Sequence, residues 1–360
     1  MWPHKPRILF LSAMPMNYSM FRPIHKRIKQ VSDTDVFIAP TDKKRIQDYL
    51  NLGLSEKEII SYPLANLAMW DAVIEADFIS PDWWEHFRIQ IFHGVAAKAT
   101  ATEKDYRYHS SLPRYDAVFF ANRDDCEQAL RLNLLKNAEA GAVVGMAALD
   151  EVLHNSKVEY RISLKEKLLP PRWQNSHVIL YAPTWGDASS FTRQAKETLQ
   201  ALAATHSFII VKPHPRCLLG NVADTGLSLA SYLKELFPDG NYLLRTGIPY
   251  EIMPIADMIV SDFSSIIFEF ALLKKSMYLF EAKNHGEKVA DKKQYEMLRA
   301  CCRVFREGEP VVFETAAPSS ELLLAMDEMC GKYFANPGKA TDKAVEELVK
   351  RSIIKLNTAQ

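Results

Sequence analysis

The sequence predicts an α/β protein of two Rossmann-like, doubly wound parallel-sheet domains facing a cleft. Three features predict it. Short apolar, β-prone runs alternate with helical stretches along most of the 360 residues. A charged stretch, Glu151–Gln174, ends in Pro170-Pro171-Arg172-Trp173 and reads as an interdomain linker. The alternation then restarts over a second half of similar size. The length fits two domains, each able to bury its own core.

In the first half, Arg7–Leu11 is a strand that ends in the loop Ser12–Tyr18, and a helix runs from about Met20 to Val31. Strand Asp35–Ala39 precedes a helical stretch over Lys43–Leu52 and a short strand, Ile59–Ser61. Further strands are expected at Ala76–Ile79 and Arg88–Phe92, the second running into His93-Gly94. Lys104–Ser110 is polar and reads as helix, Ala117–Ala121 as strand and Asp124–Leu132 as helix. Ala142–Val144 is a strand leading into Gly145.

The second half opens with strand Val178–Ala182, loop Pro183–Gly186, a helix near Thr192–Thr205 and strand Phe208–Lys212. The loop Pro213–Arg216, strand Tyr242–Leu244 and a short helix near Tyr250–Ile255 follow. Met258–Val260 is a buried strand that Ser261-Asp262 ends. Ser264-Ser265 then opens a helix whose apolar residues, Ile266, Ile267, Phe270, Ala271 and Leu273, have helical spacing. Strand Ser276–Phe280 and the amphipathic helices Ser320–Phe334 and Thr341–Leu356 complete the chain. The expected domains are 1–165 and 175–335, with 336–360 a C-terminal helix packing back across them.

Composition narrows the partners. Lys+Arg and Asp+Glu both number 44, so no global basic field draws nucleic acid, and phosphate recognition must be local. No run is long and apolar enough to span a bilayer, and the five cysteines show neither metal spacing nor a disulfide ladder. These features point to a cytoplasmic protein with no metal and no cofactor. Neither GxGxxG nor GxxxxGK[ST] occurs, which argues against a dinucleotide cofactor and a P-loop ATPase.

Ligands of open parallel sheets bind beyond the carboxyl ends of the strands. His93-Gly94, Pro183–Gly186, His214–Arg216 and Asp262–Ser265 are all expected at such ends. Lys212-Pro213-His214-Pro215-Arg216 sets three cationic or titratable groups in a loop that its prolines stiffen. Opposite the Ser264-Ser265 helix start it makes a diphosphate site; alone it is a rigid, solvated turn. His93 is either a proton acceptor at the lip of the first sheet, with Gly94 admitting substrate, or a structural histidine. Trp185 stacks on a base or closes the core. Asp262 and Glu269 are nucleotide and ribose candidates, Glu269 otherwise being a surface charge. Lys98 and the basic stretch His25–Lys29 face an anionic acceptor or simply solvent. Trp83-Trp84 is an interfacial anchor or core packing.

The order strand-His-Gly, Ala-Pro-Thr-Trp (Ala182–Trp185), Lys-Pro-His-Pro (Lys212–Pro215) and Ser261–Leu273 resembles the CDP-glycerol glycerophosphotransferases, which build poly(glycerol phosphate) chains of teichoic acids and some capsules. The resemblance runs from about Phe92 to Phe280. It implies a GT-B fold, an acceptor in the N-terminal domain and a CDP-glycerol or related CDP-alcohol donor in the C-terminal one. It makes His93 the base, with Gly94 and Lys98 on the acceptor side. Lys212, His214, Arg216, Ser264 and Ser265 would hold the donor diphosphate, and Glu269 would stand by the ribose. The acceptor would be of glycerol-phosphate or glycan type, CMP the leaving group, and the inner face of the cell membrane a site of peripheral contact. The chain departs from the family pattern at Val95-Ala96-Ala97-Lys98, where Thr-Pro-Leu-Lys is usual, and at Gly145–Asp150, which lacks a Pro and an Arg. A GT-B glycosyltransferase, a UDP-sugar epimerase-like enzyme and a non-catalytic nucleotide-binding relative are the competing readings.

Overall fold

The computed structural model describes residues 5–81, 84, 86–92, 94–95, 105–214, 217–218, 222, 225, 227–283, 289 and 291–357. His93, Lys98, Arg216 and Trp83 lie outside them. Contacts divide the chain into two compact units. The described residues of 1–95, 105–151 and 332–360 form the first, and those of 152–331 the second.

The first unit holds six parallel strands: β1 (Arg7–Ser12), β2 (Asp35–Pro40), β3 (Ala72–Glu75), β4 (Phe87–Ile91), β5 (Ala117–Phe120) and β6 (Gly141–Val143). Their order is β2-β1-β3-β4-β5-β6, so the winding reverses between β1 and β3. The second unit repeats the plan with β7 (Val178–Ala182), β8 (Phe208–Val211), β9 (Tyr242–Leu244), β10 (Met258–Ser261), β11 (Ser276–Glu281) and β12 (Arg303–Arg306). The order there is β12-β11-β10-β7-β8-β9, again all parallel, with the reversal between β7 and β10. Burial on both faces explains the near-continuous apolar runs: Val178 to Tyr181 and Phe208 to Val211 are almost wholly inaccessible.

Several expected elements differ. The strand placed at Ala76–Ile79 lies instead at Ala72–Glu75. Phe78 has φ of 55°, a turn conformation, and its ring stacks on His109. Ile59 makes one isolated bridge to Ile38, and the next residues form helix Tyr62–Leu67. Among the described residues of Lys104–Ser110, only Tyr106–Tyr108 forms a helical turn, of the tight 3-10 kind. Tyr250–Ile255 is likewise two such turns. The first helix begins at Pro15, five residues before the expected start.

The stretch read as a linker is helical. Ala147–Asn155 and Val158–Leu168 run through it. Arg161 donates to the carbonyls of Pro254 and Ile255 and pairs with Asp257, while Lys165 donates to the Ser176 carbonyl. These bonds build Val158–Leu168 into the second unit.

The chain's last segment is built into the first unit. Helix Ala340–Lys350 packs on helix Pro15–Val31, with Arg27 Nε 2.8 Å from Asp342. Asp150 accepts the N-terminal amides of that last helix, Ala340 N–H at 3.3 Å and Thr341 N–H at 2.7 Å. Gly145 makes room for the returning chain. Its φ is +99°, and a Cβ there would lie 2.2 Å from the Ala335 carbonyl oxygen.

Candidate active site

The register of the second sheet aligns three loop starts. Ala182 of β7 stands opposite Ser261 of β10, and Tyr181 opposite Val211 of β8. The next residues, Pro183, Asp262 and Lys212, therefore leave the sheet side by side at its winding reversal, where open α/β sheets bind ligands. Backbone bonds continue the alignment past the strands: Lys212 N–H to the Tyr181 carbonyl at 2.8 Å, and His214 N–H to the Pro183 carbonyl at 3.2 Å.

Each loop contributes different chemistry. From β7 comes Trp185, 44% exposed, its ring centroid 5.7 Å from that of His214. Lys212 and His214 come from β8 and are half-buried. From β10 come Ser264, Ser265 and, one turn into the helix Ser265–Phe270, Glu269. Ser264 is at the N-cap with extended backbone; its Oγ lies 3.3 Å from Ser261 Oγ, and Ser261 Oγ donates to the Ala182 carbonyl at 2.6 Å. The Ser264 hydroxyl makes no capping bond to its own helix.

Two carboxylates lie beneath this rim. Glu269 is 2% exposed, and burial pushes its carboxyl up to about 8, opposed by a hydrogen bond with Tyr250 and the Lys212 charge. Burial lowers the Lys212 ammonium in turn, against the pull of Glu269. Asp262 is 1% exposed and holds backbone: its Oδ2 accepts from Thr184 N–H at 2.7 Å and its Oδ1 from Ser190 N–H at 2.9 Å. Tyr250, Ser190 and Cys217, whose Sγ lies 3.3 Å from the Thr184 carbonyl oxygen, have no place in the sequence-based site. Their partners lie well away in the chain: Ser190 bonds Asp262, 72 residues on, and Cys217 meets Thr184, 33 residues back.

In the first unit, Phe92 ends the run from β4, and Gly94 and Val95 beyond it are buried. Arg107, 5% exposed, donates to the Val95 carbonyl at 3.3 Å. The same guanidinium pairs with Asp105 at 2.6 Å and Asp125 at 3.2 Å, and the Tyr108 hydroxyl donates to Asp125 at 2.7 Å. A small apolar pocket lies at the carboxyl ends of β4 to β6, lined by Met20, Ile24, Phe92, Ala121, Gly145 and Ala148 among others. The basic face His25–Lys29 is internally paired: Lys26, with Arg22, binds Glu151; Arg27 binds Asp342; Lys29 and His25 meet Glu58. Burial lowers His25 to about 4. Trp84 is core, packed edge-on to His86. Among the described residues no group of three or more His, Cys, Asp or Glu is placed to hold a metal ion, and no helix is long and apolar enough to cross a membrane.

Two doubly wound parallel sheets, the second carrying this rim at its winding reversal, define a GT-B-like protein. The family model described as CDP-Glycerol:Poly(glycerophosphate) glycerophosphotransferase matches residues 85–299. That is more than half of the chain, and the chain belongs to this family. The teichoic acid poly(glycerol phosphate) polymerase of Bacillus subtilis (strain 168) is 31% identical over 141 residues, 36% of this chain and 17% of the polymerase. The teichoic acid glycerol-phosphate primase of the same organism is 30% identical over 120 residues, 32% of this chain and 29% of the primase. The matches thus span well under two thirds of either relative. Among solved structures, the wall teichoic acid polymerase TagF superposes with a TM-score of 0.66 at 14% identity, over 97% of this chain and 89% of that one. The UDP-GlcNAc 2-epimerase from Methanocaldococcus jannaschii superposes at 0.58 and 14% identity, over 96% of this chain and all of its own. At such identities the likeness is one of fold.

Proposed function

We propose that the chain transfers a glycerol-phosphate or related polyol-phosphate unit from a CDP-alcohol to an acceptor hydroxyl in cell-surface polymer synthesis, releasing CMP. One observation carries the reading in a chain of this family: Trp185, Lys212, His214, Ser264 and Ser265 all follow the carboxyl ends of three adjacent strands, on one rim of the second sheet. Trp185 offers a face for the base, and the cationic loop and the serine hydroxyls suit the two phosphates.

In the reaction, the acceptor oxygen attacks the phosphorus that bears the alcohol. The bond from that phosphorus to the bridging oxygen breaks, and CMP leaves with the electron pair. His93 takes the hydroxyl proton, with Gly94 and Lys98 beside the acceptor. Charge spread over the transferring group is neutralised by Lys212, His214 and Arg216. The Glu269 charge acts on Lys212, and its carboxyl stands by the ribose. The acceptor is a glycerol phosphate or glycan presented at the inner face of the membrane. Exposed Leu64, Leu67 and Met69 on the first unit support a peripheral contact there.

A thermal-shift panel of CDP-glycerol, CDP-ribitol, CMP, UDP and UDP-GlcNAc tests the donor. Binding raises stability by about 2.7 kcal/mol at a hundredfold excess over Kd. Stabilisation by the cytidine compounds is the expected result, and stabilisation by uridine nucleotides alone overturns the reading in favour of a sugar-nucleotide enzyme.

A further inference from the structure

Asp262 is a buried carboxylate to which no cationic side chain bonds among the described residues. The groups facing it are the Tyr181 hydroxyl from β7, the Cys217 thiol from the loop after β8, and Ser190 and Thr184. None is positive. What supports its charge is a pair of backbone amides, Thr184 N–H at 2.7 Å and Ser190 N–H at 2.9 Å, together with the Ser190 hydroxyl. An anion so placed is kept only where its geometry matters, because burying a carboxylate without a counter-ion is costly.

Those two amides bracket the loop 185–189. Thr184 enters it, and Ser190 is the first residue of the helix that follows. One carboxylate therefore grips both ends of the loop that carries Trp185. The same residue belongs to the other wall of the rim, since Ser264 lies two positions on and its Oγ is 3.4 Å from the Asp262 carbonyl oxygen.

We infer that Asp262 is the positioning residue of the donor site, fixing the reach between the Trp185 face and the Ser264–Ser265 hydroxyls without touching the nucleotide. This rests on the proposed donor and names how the site measures it. A nucleoside diphosphate must satisfy the base face and the phosphate wall at once, so its affinity depends on their separation. A free nucleoside or a free pyrophosphate needs only one of them. Fixing two subsites at the span of a ligand raises the effective concentration of the second contact.

The test measures affinities of CDP-glycerol, cytidine and pyrophosphate for the full chain and for Asp262→Asn, whose amide places a donor against one of the two N–H groups. A loss of about tenfold or more for CDP-glycerol, with cytidine and pyrophosphate within about twofold of the parent, is the expected pattern. Because Asp262→Asn is able to disturb folding, Ser190→Pro provides a second probe that leaves the carboxylate intact. It deletes the Ser190 amide and hydroxyl, both bonded to Asp262, at the first helical position, where proline is tolerated, and the preceding Ser189 has φ −87° and ψ 146°, which suits a residue before proline. The same selective loss is expected there. Unchanged CDP-glycerol affinity in both variants overturns the inference, and so does a parallel loss of all three ligands in variants that melt like the parent. A parent chain that ignores CDP-glycerol but binds UDP-GlcNAc contradicts the proposed donor instead; the positioning role is then read from UDP-GlcNAc, uridine and pyrophosphate by the same pattern.

Discussion

The rings of Trp185 and His214 lie 5.7 Å apart and 37° from parallel, though they belong to loops after different strands. The bond from His214 N–H to the Pro183 carbonyl, 3.2 Å long, ties those loops two residues before the tryptophan. An aromatic face beside an imidazole, with Lys212 two residues before that imidazole in the chain, gives this rim both an apolar and a basic surface.

Trp185→Ala is expected to weaken CDP-glycerol and CMP binding by about 1–3 kcal/mol, the usual worth of one base–aromatic stack, while Trp185→Phe keeps most of it. Because the side chain is 44% exposed, both variants should melt close to the parent. Calorimetric titration beside a thermal melt separates the two effects.

The buried acids set a pH signature. Burial raises Asp262 to about 6 and Glu269 to about 8. A folded-state value above the unfolded one gives stability that is whole below the unfolded value and is lost as pH rises through the folded one. These two groups therefore favour the folded state near pH 5 over pH 8.5 by an amount on the order of a few kcal/mol, a gain that the lowered His25 partly offsets below pH 6.5. Glu269→Gln should flatten the upper part of that profile, which melts at a series of pH values would show.

Arg107 joins Asp105, Asp125 and the Val95 carbonyl while 5% exposed. Arg107→Ala leaves two carboxylates without their cation and should cost about 3–5 kcal/mol. Arg107→Lys should recover little, because a single ammonium cannot reproduce the fork held by Asp105. Denaturant titration of each variant measures the losses.

Gly145→Ala sets a Cβ against the Ala335 carbonyl oxygen and forces a side chain into φ of +99°. The backbone strain alone is worth about 1–3 kcal/mol, so a loss at or above that range is expected in chemical unfolding. A neutral substitution would mean that the returning segment does not press on Gly145.

Much of this was legible in the sequence because it is local. Val178–Ala182 and Phe208–Val211 are apolar without interruption, as strands covered on both faces must be. β3 escaped because Glu75 ends it and the more apolar-looking Phe78 sits in a turn. β12, Arg-Val-Phe-Arg, is an edge strand with charged ends and carries little pattern. The linker reading found where the chain passes between the units, at Glu151–Val152, but missed that the stretch is helical and bonded to the second unit through Arg161, because charge and prolines also describe an exposed helix. Non-local facts were the least visible. The basic face of the first helix finds its acids at Glu58, Glu151 and Asp342, and Asp262 finds its amides more than seventy residues upstream. Residue type alone makes the first look like an anion site and the second like a ligand contact.

A crystal structure of the chain soaked with CDP-glycerol tests the central claim most directly. The account predicts the cytosine against Trp185 and the diphosphate between the Lys212–His214 loop and Ser264–Ser265, with Asp262 still bound to Thr184 and Ser190. A nucleotide bound anywhere else, with that rim of the second sheet left free, would contradict it.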